Sequence, residues 1–228
     1  MLQLLEKFTH RLSISVSVLA ISVIPLQKDK WVELKFNKIA SSQVEDSAEG
    51  LKVKVKVESS ASPLVFKMEK PQKVIGFSAD LEITGELKER VMKNSFGEDS
   101  IFRMGLVATG DKKLGWLQRQ VAADWVLKLF ALAPANTGLD QIYFFNVGRE
   151  GQKIGQSRQH PKSELMFEQI VQIRKAGENS IHIEHKLKKP LNTAALWISI
   201  DGDDTQSSFT TLIKKIELVT EEGAAPSN

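Results

Sequence analysis

The stretch Ile75-Gly76-Phe77-Ser78-Ala79-Asp80-Leu81-Glu82-Ile83-Thr84 places an apolar side chain at every second position. Successive side chains of a β-strand point to opposite faces, so this alternation predicts a strand with one face in the core and one in water. Residues 51–58 and 31–36 alternate in the same way. The pattern therefore predicts sheets that are each buried on one side.

Further apolar runs indicate about nine strands in total, separated by turn residues. They lie at residues 64–68, 101–109, 141–147, 181–185, 194–200 and 209–219. No helix regularly follows a strand, which disfavours a parallel α/β sheet. The 228-residue chain is therefore expected to form one all-β domain, an antiparallel β-sandwich.

One segment has a helical period instead. Apolar residues recur every three to four positions at Leu114, Leu117, Val121, Trp125, Leu129 and Leu132. This spacing predicts an amphipathic helix of about five turns packed on the sandwich. Asp111 is placed to cap its start, and Pro134 with Gly138 to end it. Residues 164–175 fit either a strand or a helix.

The N-terminus has the pattern of a secretory signal. Lys7 and Arg11 precede an uncharged apolar run over residues 12–26, and small residues stand at Ala20 and Ser22. The run is short for a membrane span and fits a signal h-region. The alternatives are a first core strand or an uncleaved anchor. The predicted organisation is a signal peptide or hydrophobic segment over 1–26, a β-sandwich over 27–220 and a flexible tail over 221–228.

Composition excludes several kinds of function. The chain contains no cysteine, so disulfides, cysteine-ligated zinc sites and cysteine nucleophiles are ruled out. The net charge is +3, and lysines such as Lys52, Lys54 and Lys56 alternate with valines as on the wet face of a strand. Nucleic acid is therefore not expected as a partner. No stable membrane span is expected once the N-terminal segment is cleaved.

The order of several local motifs resembles that of an uncharacterised family of exported bacterial proteins, the DUF3047-type proteins. The similar pieces are residues 60–65, 77–81, 97–104, 116–125 and the closing Ile198-Ser199-Ile200-Asp201-Gly202-Asp203-Asp204-Thr205. That family resembles carbohydrate-binding jelly rolls. The resemblance implies a sandwich of jelly-roll type and export to the periplasm or medium, and it implies no reaction.

The acidic turn near the C-terminus is a candidate metal site. Asp201, Asp203 and Asp204 offer three carboxylates within four residues, and Thr205 adds a hydroxyl. A hard cation such as Ca²⁺ prefers several oxygens from a tight loop. The same residue types also form an ordinary hairpin turn. Both interpretations stay open, and no other cofactor is expected.

Four residues are candidates for ligand binding. Sugar-binding surfaces use exposed aromatic rings, and Trp116 lies just off the helical apolar stripe, at a rim. Arg149, Arg158 and His160 cluster in the Gly-rich loop over residues 147–161, where an anion or acidic sugar would bind. These residues indicate a binding surface at an end of the sandwich; for the three loop residues an ordinary solvated loop is the alternative, and the favoured one.

Catalytic motifs are sparse. No G-x-S-x-G, H-E-x-x-H or Gly-rich phosphate loop occurs. Asp80 and Glu82 share one face of a predicted strand, at a spacing of about 7 Å. The leading hypothesis is non-catalytic binding of a glycan or other envelope component. The alternatives are a glycoside-active enzyme, hydrolase or lyase, that uses this carboxylate pair, and a structural envelope or interaction protein.

Overall fold

The computed structural model describes residues 18–35, 40–55, 60, 63–88, 96, 99–161 and 163–222, without the side chains at 54, 55 and 222. The described strands are β1 Val18–Val23, β2 Val32–Glu33, β3 Gln43–Ser47, β4 Gly50–Val55, β5 Leu64–Glu86, β6 Ser100–Gly110, β7 Gly138–Arg149, β8 Ser157–Gln159, β9 Met166–Arg174, β10 Ser180–Asp201 and β11 Ser208–Glu222. The helices are a 3₁₀ turn at Lys28–Lys30, α1 Trp116–Val121 and α2 Asp124–Phe130.

Two long strands connect the layers of a β-sandwich. The hydrogen-bonded order is β3-β4-β11-β5-β10-β6-β7-β9-β8, with β1 also on β11 and β2 on β5. β5 and β10 contain 23 and 22 residues. Residues 180–186 of β10 pair with residues 76–82 of β5 in the layer that also contains β11 and β4. After register shifts, residues 193–201 of β10 pair with β6 in the other layer, called here the second sheet.

Prolines mark the irregular part of these strands. The register shifts between Lys186 and Leu191 and again between Thr193 and Ala195, and Pro190 lies in the first of these intervals. Proline has no N–H to donate to a ladder, so it is tolerated at a bulge rather than in regular pairing. The sequence interpretation divided each long strand in two at this point. The structure shows one strand that bends.

The main core lies between the two layers. Phe77 and Leu81 of β5 meet Phe102 and Met104 of β6 and Ile213 of β11, and each is at most 2% exposed. Val53, Leu106, Ile198 and Ile200 are buried as well. The alternation in the sequence therefore identified the inward faces correctly, and the predicted β-sandwich is confirmed.

The sheet is mixed rather than wholly antiparallel. β9 runs parallel to β7, because the chain leaves β7, forms the short edge strand β8, and returns between them as β9. The ambiguous residues 164–175 thus contain a strand, Met166–Arg174.

The predicted five-turn helix is two short helices. Ala122 and Ala123 have extended backbone angles and separate α1 from α2. α2 packs on the second sheet with Leu129 only 1% exposed, whereas no residue of α1 is buried. Gly115, not Asp111, precedes the first helical residue. The single helix packed on the sandwich is therefore α2 alone.

Part of the predicted signal segment forms an edge strand. β1 pairs antiparallel with residues 217–222 of β11, and its apolar Val18, Leu19, Ile21 and Val23 are 55–67% exposed. Residues 1–17 lie outside the described part of the chain. Export stays a prediction. In the part of the chain that the structure describes, helices long and apolar enough for a bilayer crossing are not found.

Candidate ligand-binding site

The outer face of the second sheet is divided into an apolar half and a polar half. α2 covers the apolar half, where Trp197, Phe144 and Val107 pack against Leu129. Trp197 lies on the side of its sheet opposite Leu196 and Ile198, and it is buried there beneath α2. The polar half continues along the same strands and carries the charged residues described next.

A buried group of three charges occupies the polar half. Glu168 of β9 is 1% exposed, and Arg158 of β8 donates from Nε to its Oε2 at 2.6 Å. Arg103 of β6 brings a guanidinium nitrogen within 3.8 Å of Oε1. The Arg158 guanidinium also lies 4.7 Å above the ring centroid of Phe96. Removing one member would leave a buried charge uncompensated, which is strongly unfavourable.

Strand register explains why these residues meet. Arg103 is opposite Asn146 of β7, and Arg158 is opposite Glu168. Arg103 stands between the core residues Phe102 and Met104, and Asn146 stands between the core residues Phe145 and Val147. Alternation therefore points them away from the core and onto one outer face.

A cavity of about 110 Å³ opens beside this group, at the end of β7. Its walls include Arg103, Asn146, Arg149, Asp99 and Arg174. Clefts that engulf a small molecule measure about 300–1,000 Å³. The cavity is thus of a size to hold one end or one substituent of a ligand.

Two polar groups in its walls have no partner among the residues that the structure describes. Asn146 is 7% exposed, and its amide Oδ1 is buried with no hydrogen-bond partner. The Arg149 guanidinium forms no hydrogen bond or ion pair with the described residues; only its backbone N–H donates, to Gln152 at 2.8 Å. Buried polar groups are nearly always hydrogen-bonded in native proteins. An unsatisfied acceptor and a cation without a partner among the described residues, both in residues that line one cavity, are expected of a binding site.

Arg174 has a different role in the same wall. Its guanidinium binds both carboxylate oxygens of Glu86, at 2.7 and 3.1 Å, and donates from Nε to the carbonyl of Glu178 at 2.7 Å. A guanidinium engaged on both edges is held rigidly. Arg174 therefore shapes the cavity wall, whereas Arg149 remains available to a ligand.

The acidic turn lies next to the cavity and is held by Asp99. This carboxylate accepts hydrogen bonds from the backbone of Asp204 at 3.1 Å and from the backbone and hydroxyl of Thr205, both at 2.6 Å. No three acidic or histidine side chains of the described residues converge as a metal site would require. The predicted ligand set Asp201, Asp203 and Asp204 is thus not brought together, and the cation site remains only a sequence-based prediction.

Asp201 as a whole residue is only partly buried, like Asp203 and Asp204, but its carboxylate is desolvated. Its carboxylate accepts from the backbone N–H of Ser100 at 2.7 Å and from the hydroxyl of Ser199 at 3.3 Å. Burial raises the pKa of Asp201 from 3.8 to about 6, with Arg103 opposing this change and Asp99 adding to it. A carboxyl with this pKa exchanges its proton near neutral pH.

The structure separates the four predicted ligand residues. Arg149 lines the cavity, but Arg158 is committed to Glu168. His160 lies just after β8, where its backbone N–H bonds to the carbonyl of Met166, and it does not line the cavity. Trp116 is 74% exposed and follows the far end of β6, a strand about 35 Å long from end to end. Trp116 and Arg149 therefore belong to different surfaces.

Sequence reasoning missed Asn146 and Arg103. Each is a polar residue inside a strand whose other residues are largely apolar, and such residues are seldom buried without a specific role. That interruption was the signal available in the sequence. Their convergence depended on strand order, which the sequence did not supply.

The carboxylate pair proposed for catalysis lies elsewhere. Asp80 is 2.6 Å from Nδ1 of His182, and Glu82 is 2.6 Å from the ammonium of Lys214. Both carboxylates are on the exposed face of the other layer, and neither lines the cavity. Each is engaged by a basic partner in solvent rather than facing a cleft.

Comparison with known proteins adds likenesses of fold. No family model and no curated protein matches the chain. A xylan-binding module, CBM15, matches with a TM-score of 0.41 and 10% identity, covering 90% of this chain and 99% of that one. The structure of PfGH50B matches with a TM-score of 0.35 and 13% identity, covering 92% of this chain and 24% of that one. At these values the likenesses carry no argument about ligand or activity.

Proposed function

We propose that this protein binds the end of a glycan, or a comparable polyhydroxylated envelope component, without catalysing a reaction. The observation that carries the proposal is the pair of unpartnered groups in one cavity wall, the buried amide oxygen of Asn146 and the guanidinium of Arg149. A ligand that satisfies both would remove the penalty of an unpaired buried acceptor.

The chemistry of the two groups favours a sugar that carries an acidic substituent. A hydroxyl donates to the amide oxygen of Asn146, and a carboxylate accepts two N–H bonds from the fork of Arg149. The wall contains four cations, because Arg103, Arg174 and Lys175 join Arg149, and three anions, Glu86, Asp99 and Glu150, which is a net charge of +1. An oligosaccharide with a terminal uronic acid therefore fits better than a neutral one.

Non-catalytic binding is favoured over glycoside chemistry by the positions of the carboxylates. Glycosidases need two carboxyl groups that flank the same bond, about 5–10 Å apart. Asp80 and Glu82 are instead paired with basic residues on an exposed sheet face. We further propose that the protein acts in the cell envelope after export, as the N-terminal pattern and the resemblance to DUF3047-type proteins suggest.

A glycan array followed by calorimetry tests the proposal. The wild type is expected to bind uronic-acid-terminated oligosaccharides. Arg149→Gln should weaken binding about tenfold to a hundredfold, because a charge-assisted hydrogen bond is worth roughly 1.5–3 kcal/mol. Asn146→Leu should weaken the binding of neutral and acidic ligands alike.

The matched control is Lys153→Gln. Lys153 is an exposed cation in the same loop, outside the cavity wall, so its replacement should leave affinity unchanged. Equal binding by the wild type and the Arg149→Gln and Asn146→Leu variants would reject this cavity as the site. A wild type that binds no glycan would favour the structural or interaction role instead.

A further inference from the structure

The apolar residues of helix α1 are largely exposed to solvent in the part of the chain that the structure describes. Trp116, Leu117 and Val121 are 74%, 71% and 85% exposed, and none of the six residues of α1 is buried. Leu117 and Val121 are four positions apart and therefore lie on the same face of the helix, with Trp116 adjacent. A six-residue helix is too short to be stable alone in water. A surface that covers these side chains would stabilise it.

The charge around α1 is mixed, with more cations than anions outside the ion pairs. Residues 112–123 contain Lys112, Lys113 and Arg119, and Asp111 and Asp124 flank them. Lys112 is paired with Asp140 and Asp124 with Lys128, whereas Lys113 and Arg119 are in none of these pairs. Lys112 and Lys113 bond to the Asp140 and Asn136 carbonyls, which hold both lysines close to the base of the helix. An exposed apolar face next to a cluster of cations is complementary to the surface of an anionic bilayer.

We propose that α1 docks the protein onto an anionic lipid surface. The side chains of Trp116, Leu117 and Val121 enter the boundary between headgroups and acyl chains, where the amphipathic Trp ring is particularly well accommodated. Lys113 and Arg119 contact the lipid phosphates. No membrane-spanning segment is required, because the contact is peripheral.

A second copy of the chain is a poorer occupant. Two-fold association through α1 would place the same cations of both copies against each other, and like charges oppose such a contact. A glycan is also a poorer fit, because a sugar stacked on the Trp116 ring would leave Leu117 and Val121, which lie on an adjacent part of the helix surface, uncovered.

The position of α1 makes the proposal independent of the glycan site. α1 follows the Gly110 end of β6, whereas the cavity lies near its Ser100 end. Docking by α1 therefore leaves the cavity open at the opposite end of the sandwich. Loss of lipid binding and loss of glycan binding are expected from different variants.

Vesicle co-sedimentation of the full chain tests the proposal, with phosphatidylcholine alone and with added phosphatidylglycerol. The wild type should bind the anionic vesicles and shift its tryptophan emission to the blue. Trp31 and Trp197 are already buried, so the change should come mainly from Trp116. Trp116→Ser combined with Leu117→Ser and Val121→Ser should abolish binding without lowering Tm, because these side chains contact no core.

A second variant separates charge from apolar insertion. The double variant Lys113→Gln with Arg119→Gln should lower the partition coefficient onto anionic vesicles about thirtyfold. Each basic residue near such a surface contributes about 1 kcal/mol, which is about fivefold in the partition coefficient, and two residues are removed. Ile154→Ser is the matched control, because Ile154 is 63% exposed on a different loop, and it should bind as the wild type does.

Three results would overturn the proposal. The first is equal vesicle binding by the wild type and the triple serine variant. The second is a lipid-independent dimer that the triple variant abolishes, which would make the face a contact between copies. The third is loss of glycan binding in Trp116→Ser with vesicle binding unchanged, which would make the ring a sugar platform.

Discussion

Replacing Asp201 with Asn is expected to stabilise the protein at alkaline pH and to have little effect at acidic pH. The carboxyl of Asp201 is buried, and its pKa is raised to about 6 in the folded state, from an ordinary value of 3.8. The folded state therefore binds this proton more tightly than the unfolded state. The resulting stability is complete below about pH 4 and is lost as the pH rises through 6.

The magnitude follows from the same two values. Each pKa unit corresponds to about 1.4 kcal/mol, so ionising the buried carboxyl at pH 8 costs at most about 3 kcal/mol of folding free energy. Asn is neutral at every pH. Its carbonyl can accept the Ser100 N–H, and its amide can donate to the Ser199 hydroxyl, so both contacts of Asp201 are retained.

Urea denaturation of the wild type and Asp201→Asn at pH 4 and pH 8 measures the effect. The difference in unfolding free energy, variant minus wild type, should increase by up to about 3 kcal/mol from pH 4 to pH 8. Asp29→Asn is the control, because the Asp29 side chain is 73% exposed and its loss should be nearly neutral at both pH values. A stability difference that does not grow with pH would refute the claim that Asp201 is desolvated.

Three further outcomes are expected. Leu81→Ala should cost about 2–5 kcal/mol in denaturant unfolding, because Leu81 is 1% exposed in the core, and a cost under about 0.5 kcal/mol would contradict the face assignment. N-terminal sequencing of exported protein should show a chain that begins near Val23. This shortened chain should still unfold cooperatively, because β1 is largely exposed. Recovery of the intact chain from the cytosol would argue against export. Calcium should not raise Tm relative to chelator, because Asp99 already binds the turn; a rise of several degrees that Asp203→Ala removes would establish a cation site.

The inward faces of the strands could be predicted from the sequence. A period of two is imposed by strand geometry itself, so the alternation around Phe77 and Leu81 identified buried positions before any partner strand was known. Arg149 was predicted as a ligand-binding residue, because polar loops at the ends of a sandwich tend to carry such residues; it lines the cavity, and its binding of a ligand stays a prediction. Both predictions rest on information within a few residues of the chain.

The helix shows where local periodicity was insufficient. The spacing from Leu114 to Leu132 predicted one helix with one buried stripe, but the second sheet offers a surface only to α2. Leu117 and Val121 continue the pattern without a sheet beneath them and are exposed. A hydrophobic period shows that a helix has an apolar face. Whether that face is buried depends on a neighbouring element that the local sequence does not specify.

Periodicity and composition along the sequence determined the sandwich class, the inward faces of its strands and the exclusion of cysteine chemistry. The tertiary structure alone decided the site. Arg103, Asn146 and Glu168 come from three strands far apart in the chain, and they meet only because β9 returns beside β7 in parallel. The unsatisfied state of the Asn146 amide is likewise a property of its surroundings. Strand order and hydrogen-bond satisfaction are set by packing between distant segments, and no local pattern of residues encodes them.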